Sequence, residues 1–218
     1  IGFIIGAASL TGIGLKLASF IVDLSAGHLL PALILTMIAS LILGTGVPTT
    51  GTYIMMALLA APALKLMNVA PMGAHMFVFY FGIISDLTPP VALAAMVAAG
   101  LAGGAFWPTA LNATKLAVAG FVIPFMFVYN PALLLDLKNI HIGETTFNVV
   151  TAIIGVIALA GVVQNYFYIK LKVHERILLL AAAFLLIMPT YLHSLIGAIL
   201  FGVVVALQVY RSKKQSLA

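Results

Sequence analysis

Two short polar stretches in an otherwise apolar chain hold the residues best suited to chemistry: GTGVPTTGT at 44–52 and SDLTPP at 85–90. Each mixes hydroxyls with residues that unwind a helix. Pro89 and Pro90 lack backbone donors and push the residues before them out of helical geometry, which frees carbonyls around Ser85 to Thr88. With the hydroxyls of Thr45, Thr49, Thr50, Ser85 and Thr88 these make an all-oxygen, hard-ligand set suited to a small cation such as Na⁺. The half-helices that restart after each break would offer free N–H groups and a positive dipole end to an anion. A single threonine in such a place is more simply explained by a back-bond to its own helix. The pairing of two breaks in neighbouring elements carries the argument.

Asp86 is the carboxylate that the segment pattern places deep among apolar residues. A membrane-embedded acid is costly and is read as functional by default. Three roles stay open for it: ligating Na⁺, carrying a proton, or capping the next half-helix or pairing with a basic group elsewhere. His75 lies among Met76, Phe77, Phe79 and Tyr80 and fits a hydrogen-bonded structural histidine better than a proton relay.

The elements that position these groups belong to a membrane protein. Of 218 residues 64% are hydrophobic and 7% charged, against roughly 25% charged in a soluble domain. A helix needs about 20 apolar residues to cross the hydrocarbon core. Ten Lys and Arg against five Asp and Glu give a formal charge of +5. Lys115, Lys170, Lys172, Arg176, Arg211, Lys213 and Lys214 lie between or beside apolar stretches, as the positive-inside bias expects of cytoplasmic ends. No basic surface interleaved with aromatic residues points to nucleic acid. The absence of cysteine excludes disulfides and thiolate metal sites. The chain opens at Ile1, within an apolar stretch, and is expected to be the C-terminal portion of a longer protein.

Segment by segment, residues 1–28 hold an apolar helix that Thr11, Gly12, Gly14 and Lys16 interrupt, which predicts one that is bent or partly interfacial. Residues 29–65 hold two apolar arms joined by the 44–52 tip. At 1.5 Å per residue the arms reach only about 22 and 18 Å, short of a core of about 30 Å, which predicts a re-entrant hairpin, the alternative being two short, tilted spans joined by an ordinary loop. Residues 66–104 form a helix broken at SDLTPP, tolerated at depth only where protein or a wet cavity satisfies the open backbone. Residues 105–136 comprise a polar-aromatic connector at 106–114 and a span from 116; a loop covers 136–145, a span 147–169, and a hairpin split by PTYLHS at 189–194 covers 177–210. The basic tail ends the 137–218 region. If Lys115 is cytoplasmic, the other basic clusters fall on the same side, the C-terminus among them, and 136–145 falls outside. His28, His141, His174 and His193 fall in connectors, and Asp23 and Glu175 sit near span ends. Gly2 with Gly6, and Gly100 with Gly104, have spacing that permits close helix packing. Trp107, Tyr129, Tyr166, Tyr168, Tyr191 and Tyr210 fit interfacial anchors. No zinc-protease, serine-hydrolase or P-loop motif is present, so no enzyme is expected.

LILGTGVPTTGTYIMMALLAAPAL, then AHMFVFYFGIISDLTPPVALAA, then AGFVIPFMFVYNPALLL closely resemble, in order and spacing, the large membrane subunit of tripartite ATP-independent periplasmic (TRAP) transporters of the fused-permease type. The resemblance covers about residues 5–136. It implies an all-α integral membrane fold: one half of an elevator-type transporter, with a re-entrant hairpin, a broken helix and extra C-terminal transmembrane helices. It implies Na⁺ as coupling ion and no other cofactor, a small organic anion such as a carboxylate as solute, and a periplasmic solute-binding protein as partner. An N-terminal repeat and a small membrane subunit, or its fused equivalent, would complete the assembly in a bacterial or archaeal inner membrane. The family's sodium positions fall on Gly44, Thr45, Gly46, Thr49 and Thr50 at the tip and on Ser85 and Thr88 at the break, with Asp86 beside them. Pro48, Thr49, Thr50, Pro89 and Pro90 would help hold the solute. Ser85 stands where related subunits often have Gly, and Asp86 where they often have a small neutral residue. The competing reading is a non-transporting membrane scaffold whose breaks serve helix packing.

Overall fold

The computed structural model describes residues 2–134, 142–188 and 190–216. It is an all-α membrane protein, and it divides into two compact units, 1–128 and 129–218. Three helical runs, Phe106–Tyr129, Gly143–Gln164 and Tyr191–Lys213, are long and apolar enough to cross a membrane. A fourth candidate is a bent pair.

That pair opens the first unit. α1 (Gly2–Thr11) and α2 (Ile13–Leu24) meet at 67°, because Gly12 takes a left-handed φ of 63° that a side chain would resist. The bend falls where the sequence places it. α3 (Leu29–Leu43) leads into the tip, from which α4 (Thr49–Leu59) and α5 (Ala61–Leu66) return. The unwound tip is shorter than expected: Thr49, Thr50 and Thr52 belong to the first turn of α4, since Pro48 ends the irregular stretch and starts the helix. α6 (Pro71–Ile84) ends in a 3-10 turn at Ser85–Leu87, and α7 (Leu93–Ala102) resumes after a cis bond between Pro89 and Pro90.

The expected connector at 106–114 is instead helical. α8 (Phe106–Leu116) and α9 (Val118–Tyr129) make one 24-residue run. Pro108 lies in the first turn, where its missing N–H costs nothing, and Ala110 and Ala113 pack against Ala92 and Ala95 at the start of α7. Lys115 therefore sits nine positions into an apolar run rather than at its end.

α3, α4 and α5 gather around α6, whose Phe77 and Phe81 are fully buried with Leu33, Met56 and Leu64. Phe77 meets Phe81 and Phe125 at ring-centroid distances of 4.9 and 5.2 Å. In lipid such a core gains little from leaving solvent, so close approach and packing must hold it. The close approaches are not at the predicted glycine pairs: a Cβ on Gly2, Gly6 or Gly100 would meet nothing within 4 Å. In the first unit they fall at Gly44 and Gly82, beside the two breaks, and also at Gly14, against the Leu58 carbonyl, and at Gly120, against Ile84.

In the second unit a 3-10 turn (Pro131–Leu134) precedes α10 (Ile142–Gln164), α11 (Val173–Ile187) and α12 (Tyr191–Ser216). Most of the expected 136–145 loop, with His141, lies outside the described residues; its last residues, from Ile142, already belong to α10. α10 stops at Gln164, and residues 165–172 form a tight turn with an isolated bridge between Tyr166 and Lys170. Pro189 lies outside the described residues, and Tyr191 to Ser194 open α12 instead of forming a loop, so His193 is helical, as is His174 in the first turn of α11.

Glu175 needs more explanation than a position near a span end gives. It is 1% exposed and lies just before the apolar stretch of α11. It accepts hydrogen bonds from Arg211 Nη1 at 2.5 and 2.7 Å, Gln208 Nε2 at 2.6 Å and the Lys172 backbone N–H at 2.8 Å. Burial pushes its carboxyl up, but these donors outweigh burial and hold it below the usual glutamate value.

Candidate functional site

The tip and the break face each other across glycine. A Cβ on Gly44 would lie 2.6 Å from Ser85 Oγ, 2.9 Å from the Ser40 carbonyl and 3.0 Å from the Gly82 carbonyl. Three oxygens thus crowd the bare face of Gly44, where the Gly44 N–H donates to the Ser40 carbonyl at 2.9 Å and the Ser85 hydroxyl to the Gly82 carbonyl at 2.6 Å. One and two turns earlier on α3, the hydroxyls of Ser40 and Thr36 are buried with no hydrogen-bond partner among the described residues. Below the tip, Gly82 admits Thr52, whose Cγ2 would lie 2.7 Å from an added Cβ. The Thr52 hydroxyl turns back to donate to the Val47 carbonyl at 2.9 Å, which pins the tip to α4.

All the predicted residues but Gly46 and Asp86 divide into three groups. Gly44 and Ser85 meet directly. Thr45 and Thr88 line an open cleft of about 190 Å³ with Pro89, Pro90, Ile38, Leu41 and Ile42. Pro48, Thr49 and Thr50 stand outside that cleft, exposed at the start of α4, where no side chain caps the first-turn N–H groups. Gly46 adopts a φ of 73° near Val91, at the edge between tip and break. Thr45, Ser85 and Thr88 each back-bond to their own helix, at the carbonyls of Ile42, Gly82 and Ile84 (2.7, 2.6 and 2.8 Å). Their hydroxyl protons are spoken for, while their oxygen lone pairs stay available to a cation.

Asp86 lies in the 3-10 turn with Oδ1 buried and unpartnered among the described residues. His75 Nδ1 lies 3.3 Å from the Tyr53 hydroxyl, so its role ties α6 to α4. Among the described residues no three His, Cys, Asp or Glu side chains gather as a transition-metal site would require.

Thr36, Ser40, Gly82, Thr114 and Lys115 were not singled out as site residues from sequence. Thr36, Ser40 and Gly44 follow a period of four along α3, a small polar stripe in an apolar helix that could have been read. Thr114 is less legible: its hydroxyl donates to the Leu87 carbonyl at 3.2 Å, across 27 positions. That bond ties α8 to the break and brings Lys115 beside it in sequence. Lys115 also lies in the last turn of α8, where a cation complements the open carbonyls.

The sequence profile of the family described as "Tripartite ATP-independent periplasmic transporter, DctM component" matches residues 1–142. The chain belongs to this family. The DctM match takes in the tip, the break and the run carrying Lys115, and it ends where α10 begins. Residues 145–200 match a separate domain family of unknown function, DUF3394. No curated protein and no solved structure matches the chain. As a DctM-family chain this is a membrane permease component of a TRAP transporter, and not a member of an enzyme family.

Proposed function

We propose that this DctM-family permease takes up small organic anions, carboxylates foremost, by coupling to Na⁺. The observation that carries the reading is the convergence of the Ser85 hydroxyl and the Ser40 and Gly82 carbonyls on Gly44. Gly44, Ser85, Ser40 and Gly82 would hold the ion, with Thr45 and Thr88 opening toward the cleft. A bound Na⁺ supplies a positive charge that lowers the cost of moving a carboxylate out of water beside it. The exposed first-turn N–H groups of Thr49 and Thr50 favour the anion at the same end of α4. Pro89 and Pro90 fix the far wall of the cleft, and Lys115 adds a positive charge near the break.

The arms at 29–65 act as the re-entrant hairpin and 66–104 as the broken helix of one elevator repeat. An N-terminal repeat would complete the site, a periplasmic solute-binding protein would deliver the solute, and a small membrane subunit or fused equivalent would complete the assembly. The positive-inside bias of the basic ends supports a cytoplasmic C-terminus in a cell with an inner membrane.

The test is uptake into proteoliposomes that hold the complete permease with its binding protein. Replacing Na⁺ by K⁺ should abolish accumulation, and Ser85→Ala should raise the Na⁺ concentration needed for half-maximal rate. Uptake indifferent to Na⁺ overturns the coupling. The back-bonded hydroxyls of Thr45, Ser85 and Thr88 favour a second reading, a scaffold whose breaks only pack helices. Cysteines placed at Thr49 and Asp86 separate the two. Aqueous thiol reagents reach them in a transport site and not in a closed packing seam.

A further inference from the structure

The network around Glu175 leaves one end of the second unit with outward charge of a single sign. Glu175 turns inward and neutralises Arg211. Gln208, fully buried, donates to Glu175 and accepts the Ile169 backbone N–H at 3.1 Å, so the turn at 165–172 is tied to α12. Lys170, Lys172, Arg176 and Lys213 remain exposed at this end, and none forms an ion pair among the described residues. Lys172 and Arg176 are four positions apart at the start of α11 and share a face. After Glu144 the sequence holds a single acidic residue, Glu175, and its carboxylate is buried rather than turned toward these cations.

Two further features say what could cover them. Tyr166, Tyr168 and Tyr210, 58%, 54% and 68% exposed, surround the same end, and exposed tyrosines mark the depth of lipid headgroups. Immediately past Arg176, the exposed Ile177, Leu180 and Phe184 continue the surface as apolar α11. An occupant that is anionic at one end and hydrocarbon at the other matches both parts, whereas a free anion matches only the first.

We propose that this end of the second unit binds the phosphate of acidic phospholipid headgroups through Lys170, Lys172, Arg176 and Lys213, with the Glu175–Gln208–Arg211 network holding those cations together. Each basic side chain near an anionic surface strengthens association by about fivefold.

The test is native mass spectrometry of the full chain in nonionic detergent with equal amounts of phosphatidylglycerol and phosphatidylcholine. Phosphatidylglycerol should be retained preferentially. The K170Q/K172Q/R176Q variant should lose that preference by about fivefold per side chain, and K170R/K172R should keep it. Millimolar inorganic phosphate should leave phosphatidylglycerol in place. Equal retention of the two lipids by the unmodified chain, an unchanged preference in the triple variant, or a loss in the arginine variant overturns the proposal. Displacement by inorganic phosphate overturns it in favour of a free-anion site.

Discussion

In the first unit the hydroxyls of Thr36 and Ser40 and Oδ1 of Asp86 are buried without a partner among the described residues, whereas in the second the buried carboxylate of Glu175 takes donors from Lys172, Gln208 and Arg211. Both units bury polar atoms inside apolar helices, but only one finishes the hydrogen bonding. A closed network fixes one arrangement and stabilises it. An open one leaves oxygen atoms whose desolvation is unrelieved until something binds. His193 Nδ1 is the exception in the second unit, a buried nitrogen without a partner. The contrast supports the site proposed near the breaks and gives Glu175 a structural part.

The largest effect should come from opening the closed network. Glu175→Ala strands Arg211 and Gln208 and should cost about 3 kcal/mol of stability, read as a lower thermal midpoint by circular dichroism in detergent. A midpoint within error of the parent would mean that the network is no tie at all.

Next comes the crowded glycine. In Gly44→Ala a methyl group would press on Ser85 Oγ and two carbonyls. Overpacking of this kind costs about 1–3 kcal/mol, and Na⁺-dependent uptake in the complete permease should fall by about tenfold or more. The same methyl at Gly100 meets open space and should change neither. Equal tolerance at both positions would remove the distinction between the crowded glycine at the tip and the open one on α7.

How far the site was legible depends on the distance over which it is built. The two breaks, the bend at Gly12 and the short arms were readable because proline, glycine and hydroxyl residues act on the backbone within a few positions. The helix at 106–116 was misread because Trp107, Pro108, Thr109 and Asn112 suggest a loop, while Ala110 and Ala113 pack on α7 and keep it helical. Lys115 was moved with it. The pairing of Gly44 with Ser85, the Thr114 bond to Leu87 and the Glu175 network all join residues far apart in sequence, and no local pattern encodes such meetings.

Acidification offers a milder probe of the closed network. The donors around Glu175 hold its carboxyl below the usual glutamate value. Its contribution is therefore fully present above the unfolded-state value and is lost as pH falls through the lowered folded-state value. The thermal midpoint should drop over that acidic window in the parent chain, and the drop should be smaller in Glu175→Gln, which has no carboxyl to titrate. Parallel pH profiles for the two would detach the effect from this residue.

The smallest change in stability is expected from Ser40→Ala, and it bears most directly on the contrast between the two units. The Ser40 hydroxyl is fully buried with no partner among the described residues, so its removal takes away an unrelieved polar group. In water-soluble proteins such a group costs about 1–3 kcal/mol. In lipid the reference state is also apolar and the difference shrinks. In K⁺ medium Ser40→Ala should therefore be as stable as the parent or slightly more so, by about 1 kcal/mol at most. In Na⁺ medium the order should reverse. Binding to the folded state raises the midpoint with ion concentration; Ser40→Ala keeps the Ser40 carbonyl proposed as a ligand but loses the unpartnered hydroxyl that would turn to the ion beside it, and so gains less from Na⁺. A midpoint that rises equally with Na⁺ in both proteins would make the open hydroxyl a bystander, and orphaned polarity would then no longer mark the ion's place on α3.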